Sequence, residues 1–206
     1  MAELPITRVA ASTEQQNRIR NTVSRTESLA GIAHVAREQD VDALTALLAD
    51  PQISGRIYTL PSVINQDTIA TFVDQHLAER DRGVGLLMVS IDEDGTASAY
   101  HDIQFWPQWA ACEFGGAIRR ERQNSGQGSA RIAKAVSWLF ESIGVELICE
   151  TAALDNIRTA RLLDRLGFTC KGDIESRLPD GGTRPSRYWE LSNAEWLLQA
   201  GNPTAD

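Results

Sequence analysis

Gly126 and Gly128 lie in a polar turn in front of an amphipathic segment, and a turn of this kind can bind an anion. The first N–H groups of a helix have no partner inside the helix, and the helix dipole places about half a positive charge at that end. Because glycine lacks a side chain, the backbone amides of such a turn can approach a phosphate closely. Gln123, Ser125 and Ser129 add neutral hydrogen-bond donors. The turn is therefore either a diphosphate site or a connector whose glycines serve only to bend the chain.

Two familiar phosphate-binding patterns do not fit this turn. A Walker loop requires GxxxxGK[ST], and no lysine stands at the corresponding position. A dinucleotide fingerprint requires a third glycine, but Arg131 occupies that position. The turn by itself leaves both interpretations open.

The hydrophobic pattern places the turn between a strand and a helix. Apolar runs and alternation predict strands at 31–37, 85–92, 96–106, 109–120, 145–153, 168–178 and 185–191. Helical spacing predicts helices at 38–50, 67–82, 132–143, 155–168 and 193–199. One β-α-β crossover spans 109–153 among otherwise antiparallel strands. The order favours an α/β fold of the mixed α+β kind, with a single mostly antiparallel mixed sheet and flanking helices.

Composition limits the classes of protein that fit. The net charge of −8 and the pI near 4.9 disfavour a nucleic-acid coat or a polybasic membrane binder, because both need a positive field. The cysteines and histidines show no metal-ligand spacing, so we expect no metal site. Neither a signal peptide nor a membrane-spanning run is recognisable, which makes a cytoplasmic location the expectation. We expect a polar N-terminal extension over 1–28, one domain over 29–200 and a tail over 201–206.

Two segments in the second half of the chain carry a family resemblance. Gln123-x-x-Gly126-x-Gly128 resembles the (Gln/Arg)-x-x-Gly-x-(Gly/Ala) loop of the GNAT superfamily of acyl-CoA N-acyltransferases. Asn156, a short helix and then Gly167-Phe168 resemble the second recurring segment of that superfamily. The two segments are separated by a helix and a strand, as in the family, and the resemblance covers about 109–192.

Finer features resemble the RimJ/RimL-like branch. Thr159 follows Asn156 by three residues, and the ending RYWELSNAEW resembles that branch's final strand and Glu-Trp helix. Many GNAT enzymes carry a tyrosine seven residues after the asparagine, as the acid that protonates the leaving thiolate. Leu163 stands at that position here, so the usual general acid is missing.

The resemblance implies acetyl-CoA as the acyl donor. Its pyrophosphate would lie on the amides of 124–129, its pantetheine arm would run beside strand 109–120, and a backbone N–H near Ala117 or Ile118 would stabilise the oxyanion. The donor-binding residues implied are Ala117, Ile118, Arg119, Gln123, Asn124, Ser125, Gly126, Gln127, Gly128, Ser129, Asn156 and Thr159.

Acyl transfer to an amine requires a base, because an alkyl amine has a pKa of about 10 and is mostly protonated. Glu113 and Glu150 are the candidates, since each stands amid apolar neighbours that would raise its pKa. Strand alternation places Glu113 on the face of Ala111, although a bulge at 115–116 would change the faces that follow. Either glutamate could instead be a structural carboxylate. Thr159 could donate to the leaving thiolate, or be an ordinary residue of a first helical turn.

The acceptor is an amine on a protein N-terminus or on a small molecule. Arg56 and Tyr58, in the irregular stretch 51–64, would border its site. Tyr188 is a further candidate for the acceptor site and another possible acid, with a strand-face aromatic as the alternative. A homodimer is an option left open. The competing hypothesis is a GNAT-like module that binds acyl-CoA and regulates a partner without catalysis.

Overall fold

One mixed eight-stranded sheet organises the chain in this computed structural model, which describes residues 4–55, 57–123, 127–178 and 181–200. Its strands are β1 (Ser28–Leu29), β2 (Ala33–Val35), β3 (Gly85–Ile91), β4 (Ala97–Trp106), β5 (Ala111–Ile118), β6 (Leu147–Ala153), β7 (Thr169–Arg177) and β8 (Thr183–Ser192). The spatial order is β1-β2-β3-β4-β5-β6-β8-β7, and every pair is antiparallel except β5 with β6. The predicted fold class is confirmed.

Helices cover both faces of the sheet. They are α1 (Thr13–Arg25), α2 (Val41–Leu48), α3 (Pro51–Ser54), α4 (Gln66–Asp81), α5 (Gln127–Trp138), α6 (Ile157–Arg165) and α7 (Asn193–Ala200). A π-helical turn, Leu139–Ile143, continues α5 and ends at Gly144, whose φ of +85° suits glycine. This helix forms the single parallel crossover, from β5 to β6.

The two faces carry separate cores. On the α5 face, Val136 and Leu139 pack with Cys112 and Phe114 of β5 and with Leu163 of α6. On the α4 face, Ile69, Phe72 and Val73 of α4 pack with Leu87 and Val89 of β3. Alternating residues of one strand therefore reach different cores, and this alternation decides which side chains can meet at the site.

The parallel pair β5 and β6 separates soon after it begins. Its paired residues are Ala111 with Leu147, Cys112 with Ile148 and Glu113 with Cys149. Both strands continue past this point, β5 to Ile118 against β4 and β6 to Ala153 against β8. The sheet therefore opens into a wedge whose apex is the Glu113–Cys149 pair.

The N-terminal segment differs from the predicted polar extension over 1–28. Residues 13–25 form α1, which begins at Ser12, whose hydroxyl accepts a hydrogen bond from the Gln15 N–H. Ile19 and Val23 are fully buried in the α5-face core. This part of the polar extension is therefore a helix packed on the domain. Two apolar side chains four residues apart are enough to anchor a helix, but they are a weak signal in a polar sequence.

Candidate active site

A cavity of about 860 Å³ fills the wedge between β5 and β6. α4 and the segment after α3 border it on one side, through His76 and Tyr58, and α6 borders it on the other, through Thr159. Because the wedge is a gap in the sheet, the cavity is lined by side chains from both faces. It is large enough for a small-molecule site.

Glu113 lies at the apex of the wedge, on the α4 face. The Tyr58 hydroxyl donates to both of its carboxylate oxygens, at 2.7 and 2.9 Å, and the Thr151 hydroxyl donates to Oε1 at 2.8 Å. Burial raises the pKa of the Glu113 carboxyl above its ordinary value, while the two hydroxyl hydrogen bonds oppose part of that rise. Asp102 adds to the rise and Arg184 opposes it. The result is a carboxylate held in place, yet more basic than a glutamate in water.

Glu150 lies at the same depth but on the α5 face. It is the first residue of β6 after the last parallel pair, and it lies opposite Trp189, which belongs to the α5-face core. Its carboxyl makes no hydrogen bond or ion pair to the part of the chain that the structure describes. Burial, and then the neighbouring Glu113, raise the pKa of Glu150 well above its ordinary value. The two predicted bases are therefore on opposite sides of the sheet and in different environments.

No bulge disturbs the faces of β5. The register between β4 and β5 is continuous through Asp102–Gly115 and His101–Gly116. Gly116 has a φ of +147°, and a Cβ atom there would lie 2.2 Å from the Tyr100 carbonyl oxygen. Glycine is therefore required at 116 for close approach of β4, and Glu113 keeps the face that simple alternation predicts.

A mostly buried histidine–aspartate pair on the α4 side was not predicted from the sequence. His76 contacts the Phe72 carbonyl through Nδ1 at 2.8 Å and Asp102 Oδ1 through Nε2 at 3.2 Å. Burial by itself would lower the pKa of His76, but the hydrogen bond and charge of Asp102 raise it overall. Two acceptors on the two ring nitrogens favour the imidazolium form. His76 and Asp102 line the same cavity as Glu113.

His101 lines the cavity from the α5 side. It is only 8% exposed and stacks on Phe114, with ring centroids 5.3 Å apart. Burial, and then the nearby Arg131, lower its pKa to about 4, so the ring is neutral near pH 7. His101 is buried because β4 lies inside the sheet and is covered on both faces.

Asn156 and Thr159 owe their spacing to the start of α6. The Asn156 side-chain oxygen caps the helix by accepting the Thr159 N–H at 3.3 Å, and both residues line the cavity. Gln123 connects the end of β5 to this helix, since its Nε2 donates to the Ile118 carbonyl at 2.7 Å and its Oε1 accepts from Arg158. The motif residues therefore hold together the open end of the wedge.

The remaining predicted donor-binding residues fall into four groups. Ala117 and Ile118 line the cavity, whereas the Arg119 guanidinium donates to the Ala97 carbonyl on β4 at 2.9 Å. Gln127, Gly128 and Ser129 form the first turn of α5. Asn124, Ser125 and Gly126 lie outside the described residues.

The predicted acceptor-binding residues differ in where they lie relative to the cavity. Tyr58 lines the cavity, and Arg56 lies outside the described residues. Tyr188 is fully buried and does not line the cavity, because its hydroxyl donates to Glu190 at 2.6 Å and accepts the Ile6 N–H at 3.1 Å. Tyr188 therefore has the place of the alternative interpretation, an aromatic on a strand face, here packed away from the cavity. Its strand register with Thr151 directs it along the same face, but too far from the wedge.

Comparison with known proteins identifies the family. A family model described as an acetyltransferase (GNAT) domain matches residues 32–169, which is more than half of the chain. The chain belongs to the GNAT acetyltransferase family. The match begins just before β2 and ends at the start of β7, so it includes the whole wedge of this GNAT protein.

Solved structures share the GNAT fold at low sequence identity. The ribosomal-protein-S5-alanine acetyltransferase from Vibrio fischeri has a TM-score of 0.67 and 13% identity, and the match covers 80% of this chain and 93% of that one. The spermidine N-acetyltransferase from Vibrio cholerae, in complex with CoA and spermine, has a TM-score of 0.67 and 16% identity, covering 80% and 96%. A putative acetyltransferase from T. thermophilus has a TM-score of 0.66 and 18% identity, covering 80% and 87%. No curated protein sequence matches the chain.

In the described part of this GNAT chain, none of the helices is long and apolar enough to cross a membrane. Within the same residues there is no group of three or more histidine, cysteine, aspartate or glutamate side chains that could hold a metal ion.

Proposed function

We propose that this GNAT protein transfers an acetyl group from acetyl-CoA to a primary amine by direct attack of the amine on the thioester. The observation that carries the proposal is the position of Glu113 at the apex of the wedge, with its carboxylate fixed by Tyr58 and Thr151. A base held at the closed end of a cavity meets a reacting group that enters from the open end.

The donor would enter from the end of β5. α5 begins at Gln127, shortly after the end of β5, and the first N–H groups of a helix have no partner inside the helix, so a pyrophosphate would bind there. Beyond Glu113, the edge of β5 that faces β6 pairs with no strand in the described residues, so a pantetheine arm could lie along it. The Arg119 N–H bonds to the Ser98 carbonyl on β4, and backbone groups alternate along a strand. Ile118 therefore directs its N–H into the wedge and is preferred to Ala117 as an oxyanion donor.

The amine would approach from the α4 side. Glu113 accepts a proton from the ammonium group, and the free amine then attacks the thioester carbonyl. Tyr58 can keep donating to Glu113 because its own pKa is raised far above the ordinary value, by burial first and then by Glu113. His76 Nε2 lies 3.2 Å from Asp102 Oδ1, so the Asp102 carboxylate is engaged and Glu113 is the carboxylate that meets the ammonium.

The acceptor panel follows from the solved relatives. One of them is named for a ribosomal protein alanine and another for spermidine. A panel for this chain therefore contains a peptide with a free N-terminal alanine, spermidine and an amino sugar. Release of the free CoA thiol from acetyl-CoA measures turnover without any assumption about the product.

Glu113→Gln tests the assignment of the base. The amide keeps the size of the side chain and one oxygen acceptor, but it cannot take a proton. We expect kcat to fall by about 10²–10⁴, while the affinity for CoA, measured by calorimetry, stays unchanged. A variant with wild-type kcat would refute the role of Glu113. Wild-type protein that binds CoA but releases no thiol with any amine would instead favour the regulatory acyl-CoA-binding module.

A further inference from the structure

The leaving thiolate needs a proton, and α6 does not supply the usual donor. Leu163 occupies the tyrosine position of the family pattern and is only 3% exposed. The one hydroxyl on α6 belongs to Thr159. An alcohol can relay a proton, but it is a far weaker acid than a thiol of pKa about 8.5. A carboxylic acid is a better match, provided that it is protonated when the thiolate leaves.

Glu150 meets this requirement by its place in the fold. It lies at the apex of the wedge on the α5 face, which is the side that carries α5 and α6 and thus the donor-binding motifs. Its carboxyl lines the cavity without a hydrogen bond or ion pair to any described residue, so nothing there stabilises the ionised form. Glu113, at the same depth on the other face, has two hydroxyl donors that stabilise its ionised form.

We propose that Glu150 is the general acid of the reaction, a carboxylic acid that protonates the CoA thiolate in place of the missing tyrosine. This inference rests on the proposed acetyl transfer and adds a second catalytic residue to the same site. It reverses the sequence expectation, in which Glu150 is an alternative base.

Every proton has a donor and an acceptor. The ammonium first gives one proton to Glu113, which releases it to solvent through the open cavity. The amine nitrogen then forms a bond to the thioester carbonyl carbon, and the ionised Glu113 takes the second proton that the nitrogen loses. The C–S bond then breaks, its electron pair goes to sulfur, and the Glu150 carboxyl gives sulfur its proton. The products are the amide and the CoA thiol. Glu113 ends protonated and Glu150 ionised, and exchange with solvent through the open cavity restores both.

The groups around Glu150 support the protonated form. They are Glu113 on β5, the buried thiols Cys112 and Cys149, and, along the cavity, the neutral His101 and the guanidinium of Arg158. Arg158 is engaged with Gln123 at the open end of the wedge. The nearest charge is therefore that of Glu113, and it disfavours ionisation of Glu150.

The test is the ratio of wild-type kcat to variant kcat as a function of pH, with acetyl-CoA and the best amine of the panel. For Glu150→Gln we expect a ratio of about 10²–10⁴ at low pH that falls toward one as pH rises, because the wild-type acid is then ionised and cannot donate. For Glu113→Gln the dependence is opposite, since a base works only when ionised. Glu150→Asp, which keeps an acid, should recover part of the activity.

Three results would overturn the proposal. If the ratio of wild-type kcat to Glu150→Gln kcat grows with pH, Glu150 is a base. If the ratio is independent of pH and the melting temperature or the CoA affinity changes, Glu150 has a structural role. If kcat falls in Thr159→Val but not in Glu150→Gln, Thr159 is the group that protonates the thiolate. If the wild-type protein turns over no amine at all, the proposed acetyl transfer fails instead, and the two failures remain distinct.

Discussion

Removing the Thr151 hydroxyl should make Glu113 a weaker acid without moving it. Thr151→Val keeps the shape of the side chain but deletes the 2.8 Å hydrogen bond to Oε1. A hydrogen bond to a charged group contributes about 1.5–3 kcal/mol. We take about 1.5 kcal/mol, since Tyr58 still donates to both oxygens. One pKa unit corresponds to about 1.4 kcal/mol, so the pKa of Glu113 should rise by about one unit.

The sign of the kinetic effect follows from the role of the base. Glu113 acts when it is ionised, so activity is lost as pH falls through its pKa. A higher pKa moves the acidic limb of the kcat profile by about one unit toward alkaline pH. Below the limb the rate should be about tenfold lower than in the wild type, and well above it the two rates should converge.

The assay is CoA thiol release over a pH series at saturating acetyl-CoA. Thr151→Ser is the matched control, because it keeps the hydroxyl and should keep the wild-type limb. A Thr151→Val profile that overlays the wild type would mean that Glu113 is not the titrating base. A uniform loss at every pH would point to disturbed packing instead.

Two structural predictions follow from the backbone and the core. Gly116→Ala should lower the free energy of unfolding by more than about 1 kcal/mol, because the new Cβ would lie 2.2 Å from the Tyr100 carbonyl oxygen at a φ that favours glycine. Chemical denaturation measures this free energy. A variant as stable as the wild type would contradict the close approach of β4. Ile19→Ala should cost about 2–5 kcal/mol, because the side chain is fully buried in the α5-face core. A loss below about 0.5 kcal/mol, typical of surface positions, would mean that α1 is peripheral after all.

The sequence predicts the ladder of strands but not where it breaks. Alternation places Glu113 on its correct face, and the crossover through α5 makes β5 and β6 parallel neighbours. The residues of β5 and β6 do not indicate that pairing stops after Glu113 and Cys149. The end of the pairing depends on how the sheet twists between the two cores. The sequence therefore does not predict that Glu113 and Glu150 lie on opposite faces of the sheet. It also does not predict the contact of Thr151 with Glu113.

The sequence also does not predict contacts between distant segments, and the reason is physical. His76 meets Asp102 only because α4 lies over β4, and a helix residue and a strand residue share no periodic signal. The Tyr188 hydroxyl bonds to Glu190 and to the backbone N–H of Ile6, which lies at the far end of the chain. The sequence around Tyr188 gives no sign of this second contact. Only Asn156 and Thr159, which are joined by a local cap, could be placed from their spacing alone.

The break in the parallel pair explains how one sheet can hold an acid and a base at the same pH. Two glutamates on paired residues of one face would meet directly and repel each other, whereas Glu113 and Glu150 line the cavity from opposite faces of the sheet. Donors from Tyr58 and Thr151 favour the charged form of Glu113, and that charge, together with burial, favours the neutral form of Glu150. Environments that separate the pKa values of two like groups assign their roles. In the proposed reaction the base would face the amine and the acid would face the thiol, because each reactant would enter the wedge from a different side.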